Sequence, residues 1–557
     1  MQPPAQALIQ PRLGVRAVSP EPVPGLRTAG GKPLSMGPSR AAISDLDALP
    51  FVDRSLIDMR AYARQIGESM VHGVISILAT RGCPYSCTYC HRIMSKKLHW
   101  RSPENIFDEI KYYYDLGFRR FAFVDDIFNL RRDVSHGLYR RVIAHGMKLQ
   151  ILFPNGLRGD VLNAEDIDLM VEAGVINFAL ALETASPRLQ TAIKKNLKLD
   201  RLRENIDYIT SKYSNEVMLD LFVMMGFPSE TKEELQLTFD FVKSIRWLHF
   251  PVLSLVQIYP GSDMIPFALE HGITMEQIQR SGGKEYHDAP ETLPWPRHYA
   301  KGKQVEFYRD YFLHRERLLH VLPIQMRHLR EEELVQKYNS CLPEQISDFD
   351  GLLRVLRIDR AELNGARCTE GWLPPDRAYE LIADRAPRGP GRPDALKLLL
   401  IDLSTLFTGE QREVYSVLDQ PLGLLYLLTN ANKLMGDRVV GRIAKSAVDF
   451  DSLEELRAIV EEFQPDVIGA RTLSCYKEFF HRALAQVRSW TDAPILAGGP
   501  YLSSDYLWAL DDESIAAGVI GEGEYALVEV LEGMWRHGKR LPPPRELATI
   551  PGVVVRS

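Results

Sequence analysis

Only six cysteines occur in 557 residues, too few for a disulfide framework, and that usage suits a reducing, cytoplasmic setting. Long hydrophobic runs are missing too: no stretch is apolar enough to span a bilayer, and no signal-peptide core stands near the N-terminus. No membrane partner is expected. Nor is positive charge in excess. Lysine and arginine number 67 against 73 acidic residues, a net charge of −6, so the basic field that draws nucleic acid is lacking and no nucleic-acid partner is expected. What is present is a globular balance, 45% hydrophobic and 25% charged, and a length that allows about three or four domains.

Residues 1–41 are rich in proline, glycine and serine without periodicity and read as a disordered or extended lead-in that builds no core. Residues 42–73 read as a linker packed on the barrel that begins at Val74. From 74 to 275 short apolar runs alternate with helical stretches: "VISILAT", "FAFVDD", "LQILF", "INFALALE", "VMLDLFVMMG" and "VLSLVQIY". Repeated βα units of this kind predict a parallel sheet closing into a (β/α)6-type partial barrel, with chemistry at the C-terminal ends of its strands. Helix starts are marked by Ser102 before Pro103 and by the capping-box spacing of Thr231 and Glu234. Residues 276–392 turn mainly helical and are expected to cap the barrel and contribute to substrate choice. Tyr308, Tyr311 and Phe312 recur there at a helical spacing that assigns them to core. The proline- and glycine-rich "RAPRGPGRP" marks a boundary. Residues 393–557 return to α/β as a doubly wound, Rossmann-like domain with glycine turns after its strands, where ligands tend to bind.

The clustered cysteines carry the chemistry. "RGCPYSCTYCHR" places Cys83, Cys87 and Cys90 at a C-x3-C-x2-C spacing directly after the first strand run, while Cys341, Cys368 and Cys475 stand alone. Three thiolates suit a 4Fe-4S cluster with one open iron. The competing reading is a structural zinc loop completed by a distant ligand or by His91. The single C-x2-C pair favours the cluster, since cysteine-rich zinc sites usually show two paired elements.

This spacing after the first strand of a βα barrel, with Tyr89 just before the last cysteine, resembles the radical S-adenosylmethionine (SAM) enzymes. The resemblance implies that SAM chelates the open iron and that one electron, from an external flavodoxin- or ferredoxin-type reductant, releases a 5'-deoxyadenosyl radical. It also implies a SAM site at successive strand ends. "FVDDIFN" offers Asp125 or Asp126 to the cofactor's ammonium, in place of the family's Gly-Gly-Glu. "LALETAS" makes Glu183 a ribose ligand, and Lys195 is either a carboxylate partner or part of a solvated helix face. "VMMGFPSET" brings backbone at Met225 and Gly226 to adenine, and "QIYPGSDM" resembles the sixth strand end.

The C-terminal segments "DQPLGLLYL", "FQPDVIGARTLS", "PILAGGP" and "GVIGEGEYALVEVL" are similar, in order and spacing, to the cobalamin-binding domain found in many enzymes of that family. By this resemblance Pro421, Leu422 and Gly423 lie under the corrin face, while Thr472, Ser474, Gly498, Gly499, Gly521, Glu522 and Gly523 line the nucleotide tail. The D-x-H-x-x-G signature is absent, and no histidine stands between Asp394 and Phe480, which implies cobalt without a protein histidine beneath it. The order is also unusual, since the family's cobalamin domain normally precedes the barrel. Here "AISDLDALPFVDRSLID" resembles the connecting linker and "IPGVVVRS" the end of the cobalamin domain, as a circular permutation would leave them. Residues near 42 and 550 should then be neighbours.

Together these implications describe a cobalamin-dependent enzyme that methylates an unactivated carbon of a natural product, small molecule or peptide. A cyclisation, rearrangement or oxidation with the same cofactors is the near alternative. A cobalamin- or cluster-binding sensor is the distant one. No catalytic residue toward the substrate is assigned.

Overall fold

The structure, a computed structural model, describes residues 26–63, 71–281 except 92, 247 and 260, 291–386 except 340, 341, 343 and 344, 392–411, and 419–557. Cys341, most of the lead-in and most of the proline-rich boundary lie outside them.

Six parallel strands build the barrel: β2 (Val74–Ile77), β5 (Arg120–Phe123), β6 (Gln150–Leu152), β7 (Asn177–Glu183), β8 (Met218–Met225) and β9 (Phe250–Leu255). They pair in the orders β2-β5-β6 and β7-β8-β9, all parallel. The bridges Ile151 to Val175 and Leu157 to Leu180 join the two halves. Strands buried on both faces produce the continuous apolar runs seen in the sequence. A short ribbon, β3 (Thr80–Arg81) against β4 (His99–Trp100), comes after β2. The helix starts are as expected. The Ser102 side chain accepts from the Asn105 N–H with Pro103 in the first turn, and Thr231 and Glu234 form a capping box.

The C-terminal sheet runs β1-β15-β14-β13-β12-β10-β11, from β1 (Leu34–Met36), β10 (Leu396–Asp402), β11 (Val439–Lys445), β12 (Val467–Arg471), β13 (Ile495–Gly498), β14 (Ile515–Val519) and β15 (Val553–Arg556). Its five parallel strands adopt the 2-1-3-4-5 order, whose switch point lies between β10 and β12. Two antiparallel strands extend it, β15 on β14 and β1 on β15.

That last pairing corrects the lead-in. Residues 26–41 are not a coreless arm, because Leu34 is buried within the C-terminal domain's core and Leu34, Ser35 and Met36 pair with Arg556, Val555 and Val554. A three-residue strand among prolines and glycines has no periodicity to reveal it, and its partner is more than 500 residues away. The expected neighbourhood of residues near 42 and 550 is present. The Gly552 N–H donates to the Pro38 carbonyl at 2.8 Å, and Arg40 Nε donates to the Pro551 carbonyl at 3.0 Å.

The helical segment packs against one end of the barrel. Val71, Ile176, Met218 and Phe250 stand at or just before the starts of barrel strands, and they share a core with Phe312, Leu318, Leu334, Tyr338 and Leu352. The helices between Tyr308 and Leu356 therefore close the N-terminal end of the barrel rather than its mouth. Tyr311 and Phe312 are buried as expected. An apolar helix face is legible in sequence, but the end of the barrel it meets is not. Other residues of the segment reach the opposite end: a Cβ on Gly226 would meet Leu293 Cδ2 at 2.4 Å, and Ile278 shares a core with Phe227 and Val256, just past the ends of β8 and β9.

The closure is anchored by Arg120, the first residue of β5, whose Nη1 lies 2.5 Å from Glu333 Oε1 with both side chains fully buried. Arg120 also donates to the carbonyls of His72 and His328, each at 3.0 Å. Removing one partner of such a pair strands a buried charge. Glu333→Ala is expected to destabilise the barrel by about 3–5 kcal/mol, read as a lowered urea midpoint.

Candidate active site

The cysteine loop springs from the β3-β4 ribbon. Gly82 has φ +90°, and a Cβ there would sit 2.5 Å from the carbonyl oxygens of Ser95 and Lys97, so this entry to the loop admits glycine. The Cys83 N–H donates to the Ser95 carbonyl at 3.2 Å. Cys83 and Cys87 are half-buried, Cys90 is exposed, and all three are free thiols. Among the described residues no three His, Cys, Asp or Glu side chains converge on a single-ion site. Three thiols on one loop supply the donor set of a cluster that holds each on a separate iron and leaves the fourth open. His91 is not drawn into the set; its ring stacks on Tyr259 at 5.2 Å, and burial lowers its pKa to about 4.

Glu183 closes β7 with φ +64°, just after a register shift against β8. A bulge with left-handed backbone re-aims a side chain, and in a non-glycine residue such strain clusters at functional sites. Its Oε1 accepts from Lys195 Nζ at 2.8 Å and from the Tyr89 hydroxyl at 3.1 Å. Lys195 is flanked by two further left-handed residues, Lys194 at φ 54° and Asn196 at φ 49°. At 6% exposure it is not on a solvated helix face. Burial raises the Tyr89 hydroxyl well above its ordinary pKa, and Glu183 adds to the effect.

Arg158, unmarked by any motif, sews the parts together. Its Nη2 donates to the carbonyls of Lys195 and Asn196 at 3.0 and 3.1 Å, and its guanidinium stacks 3.9 Å from the Tyr85 ring in the cysteine loop.

The two aspartates divide their labour. Asp125 is buried and accepts from the Ala79 N–H at 3.0 Å, from Thr80 Oγ1 at 2.6 Å and from the Thr80 N–H. It fixes the base of β3, while desolvation lifts its pKa to about 7. Asp126 opens to solvent at the mouth, where the surrounding protein raises its carboxyl by desolvation. Of the pair, Asp126 is the accessible acceptor.

At β8 the expectation changes. The Gly226 N–H donates to Glu230 Oε2 at 2.6 Å, and the Met225 carbonyl accepts from the Val256 N–H at 2.9 Å. The Gly226 donor is thus spent internally, and only carbonyl lone pairs remain for a ligand. No motif signals that Glu230 turns back on its own strand. Burial pushes its carboxyl up to about 8, opposed by the two backbone N–H groups it accepts from. With the folded pKa raised above the unfolded value, the contribution to stability is full below about pH 4.5 and lost as pH rises through about 8. Glu230→Gln keeps an acceptor without the charge, so it should flatten that pH dependence and stabilise the protein at pH 8, as urea titrations at several pH values would show.

The C-terminal residues fall into two groups. Gly423, Gly499 and Gly521 border open space or a single side chain: a Cβ on Gly423 would come no nearer than 4.0 Å to Arg471 Nη1, one on Gly499 (φ +81°) would lie 3.1 Å from Arg471 Cβ, and one on Gly521 (φ +77°) would meet nothing. Pro421 and Leu422 begin the neighbouring helix Leu422–Met435. Gly498 ends β13. Among the described residues the buried Ser474 Oγ and Arg471 Nε find no hydrogen-bond partner, so the crevice at the switch point carries unspent polar atoms. Arg471, missed as a site residue although it closes β12, also lies 3.5 Å from Asp402 Oδ2. Burial would raise the Asp402 carboxyl, yet Arg471 and Lys445 hold it below the ordinary value.

The second group is committed elsewhere. Thr472 Oγ1 donates to the Leu403 carbonyl at 2.7 Å. Glu522 accepts from Arg81 Nη1 at 2.9 Å and from the Ile43 N–H at 2.6 Å, so it joins segments instead of facing a ligand. A Cβ on Gly523 would press on Leu427 at 3.0 Å, which makes that glycine a packing requirement. Glycine turns after strands look alike in sequence whether they face ligand or neighbour.

Residues 77–242 match the family model of the Radical SAM superfamily, a span that starts at the last residue of β2 and covers the cysteine loop and strands β5 to β8. An uncharacterised methyltransferase of Pyrococcus horikoshii is 26% identical over 242 residues, 43% of this chain and 50% of that protein. The bacteriochlorophyllide d C-12(1)-methyltransferase of Chlorobaculum tepidum is 25% identical over 196 residues, 34% and 41% of the two chains. The chain thus spans half or less of these relatives' length. Among solved structures, the radical SAM methyltransferase TsrM of Kitasatospora setae, with tryptophan and a SAM analogue bound, overlaps 38% of this chain and 41% of its own at 17% identity and a TM-score of 0.33, a local overlap only. Among the described residues no helix is long and apolar enough to cross a membrane.

Proposed function

Residues 77–242 form a radical SAM domain, and from that premise we propose a cobalamin-dependent radical SAM enzyme that methylates an unactivated carbon of a small-molecule, natural-product or peptide substrate. When bound, the cluster and SAM supply a one-electron route to an adenosyl radical, and cobalamin supplies a methyl carrier. The chain's part is to bind, orient and exclude water. Cys83, Cys87 and Cys90 would hold the cluster. Asp126 would accept from the ammonium of SAM. Glu183, fixed by Lys195 and Tyr89, would meet its ribose, with Lys195 within reach of its carboxylate. The adenine amino group is a donor, which suits the carbonyl lone pairs left at Met225 and Gly226. In the C-terminal domain the open glycines and the unspent Ser474 and Arg471 atoms would face the corrin and its tail.

The observation that carries the proposal is the position of the glycine turn after β14, tied by Glu522 and Glu524 to Arg81, two residues before Cys83. A ligand in the C-terminal crevice would therefore stand beside the mouth of the barrel. The test is anaerobic reconstitution with iron, sulfide and hydroxocobalamin, then SAM and titanium(III) citrate. Methyl transfer predicts both 5'-deoxyadenosine and S-adenosylhomocysteine. 5'-Deoxyadenosine alone would turn the reading toward rearrangement, cyclisation or oxidation, and neither product would turn it toward a sensor.

A further inference from the structure

We propose that Arg81 is a positioning residue that sets where the cysteine loop stands relative to the ligand crevice of the C-terminal domain; that the crevice's ligand is a corrin rests on the proposed function. Arg81 belongs to none of the expected ligand sets. It is the last residue of β3, and the chain passes from it through the tightly enclosed Gly82 directly to Cys83. Its Nη1 donates to Glu522 Oε1 at 2.9 Å and its Nη2 to Glu524 Oε1 at 2.5 Å. The three side chains are only 6–8% exposed. The guanidinium lies 5.2 Å from the Tyr426 ring.

Glu522 stands between Gly521 and Gly523, and its second oxygen holds the Ile43 N–H at 2.6 Å. One guanidinium thus joins the cysteine loop, the glycine turn of the crevice and the strap that runs from β1 to the barrel. On the other side of the same ribbon, Thr80 is tied to Asp125 of the barrel. The relative placement of the two sites passes through two adjacent residues. The planar fork of arginine reaches two carboxylates at once, a geometry that a lysine point charge does not reproduce.

Docking of the domains does not itself depend on this joint. Arg54 Nε donates to Gln420 Oε1 at 3.0 Å, the Asp53 N–H to Thr429 Oγ1 at 2.9 Å, and Arg40 Nη2 to Glu529 Oε1 at 2.7 Å. Loss of Arg81 should therefore free the loop and the turn while leaving the domains in contact.

The experiment uses the full chain reconstituted with iron, sulfide and hydroxocobalamin and reduced with dithionite, which brings the corrin to paramagnetic Co(II) and the cluster to its reduced state. Arg81→Lys is compared with a triple variant, Arg81→Met with Glu522→Gln and Glu524→Gln, which leaves no unpaired buried charge. The readouts are the relaxation of the corrin electron-spin signal by the reduced cluster, which reports their separation, and amide hydrogen exchange. In both variants iron and corrin content should match wild type, the relaxation enhancement should fall several-fold, and exchange in residues 83–98 and 521–527 should rise roughly tenfold while that in 420–435 stays unchanged. Unchanged relaxation and exchange would overturn the proposal. Equal acceleration in 420–435 would overturn it too, by making Arg81 a general support. A wild-type protein that retains no corrin would defeat the cobalamin reading alone, since exchange in the loop and turn still decides the role of Arg81.

Discussion

Cys87→Ala is expected to yield a folded protein that produces no 5'-deoxyadenosine above the protein-free level. Cys87 is half-buried on a surface loop, so its loss opens no core cavity, and circular dichroism and the urea midpoint should stay near wild type. What disappears is one of three thiolates that leave a single iron open. With two, the cluster loses its anchorage and the iron bands of the reconstituted protein fall with it. The same outcome is expected for Cys83→Ala and Cys90→Ala, whereas Cys368→Ala and Cys475→Ala should keep full iron content. A loop serving zinc would instead bind that metal stoichiometrically and support no SAM cleavage in the wild type.

Lys195→Met should have the largest effect on stability at the site itself. Lys195 and Glu183 lie 2.8 Å apart with side chains 7% and 9% exposed. Without the ammonium, the Glu183 carboxylate stays buried with the Tyr89 hydroxyl on the same oxygen, at a cost of about 3–5 kcal/mol. The three left-handed residues around the pair would also lose the contact that holds their strained backbone in place. Adding Glu183→Gln removes the stranded charge and should restore most of the stability, yet SAM binding should remain weak because the proposed carboxylate partner is gone and a neutral amide oxygen accepts less strongly from ribose than a carboxylate. Urea unfolding of the barrel and equilibrium dialysis with SAM separate the two effects. Equal recovery of stability and binding in the double variant would show that the pair only supports the fold.

Much of this was legible because it is local. Barrel strands covered on both faces spell continuous apolar runs, and the three cysteines lie within eight residues, so neither reading needs a distant partner. The strand ends that carry the candidate residues were legible as positions, but not as bonds. Nothing in "VMMGFPSET" tells that Glu230 takes the Gly226 N–H, and nothing in "FVDD" tells which aspartate turns inward to hold Thr80. The remainder depends on segments hundreds of residues apart. The β1-β15 pairing, the Arg81 joint to Glu522 and Glu524, and the Arg120 to Glu333 ion pair are each fixed by tertiary packing. A sequence window sees in them only a short stretch without periodicity, a glycine turn and one charged helix position. The helical segment was recognisable as helical for the same local reason, but which end of the barrel it meets is a tertiary matter that no local pattern carries.

The most direct test of the central claim is the absorption spectrum and metal analysis of the 557-residue chain after anaerobic reconstitution with iron, sulfide and hydroxocobalamin and removal of unbound cofactor. The account predicts four irons and one corrin per chain, with the iron-sulfur and corrin bands superposed and the corrin retained in Cys87→Ala while the iron is lost. A protein that carries the cluster yet washes free of corrin would contradict the assignment of the C-terminal domain, and one that carries neither would contradict the account as a whole.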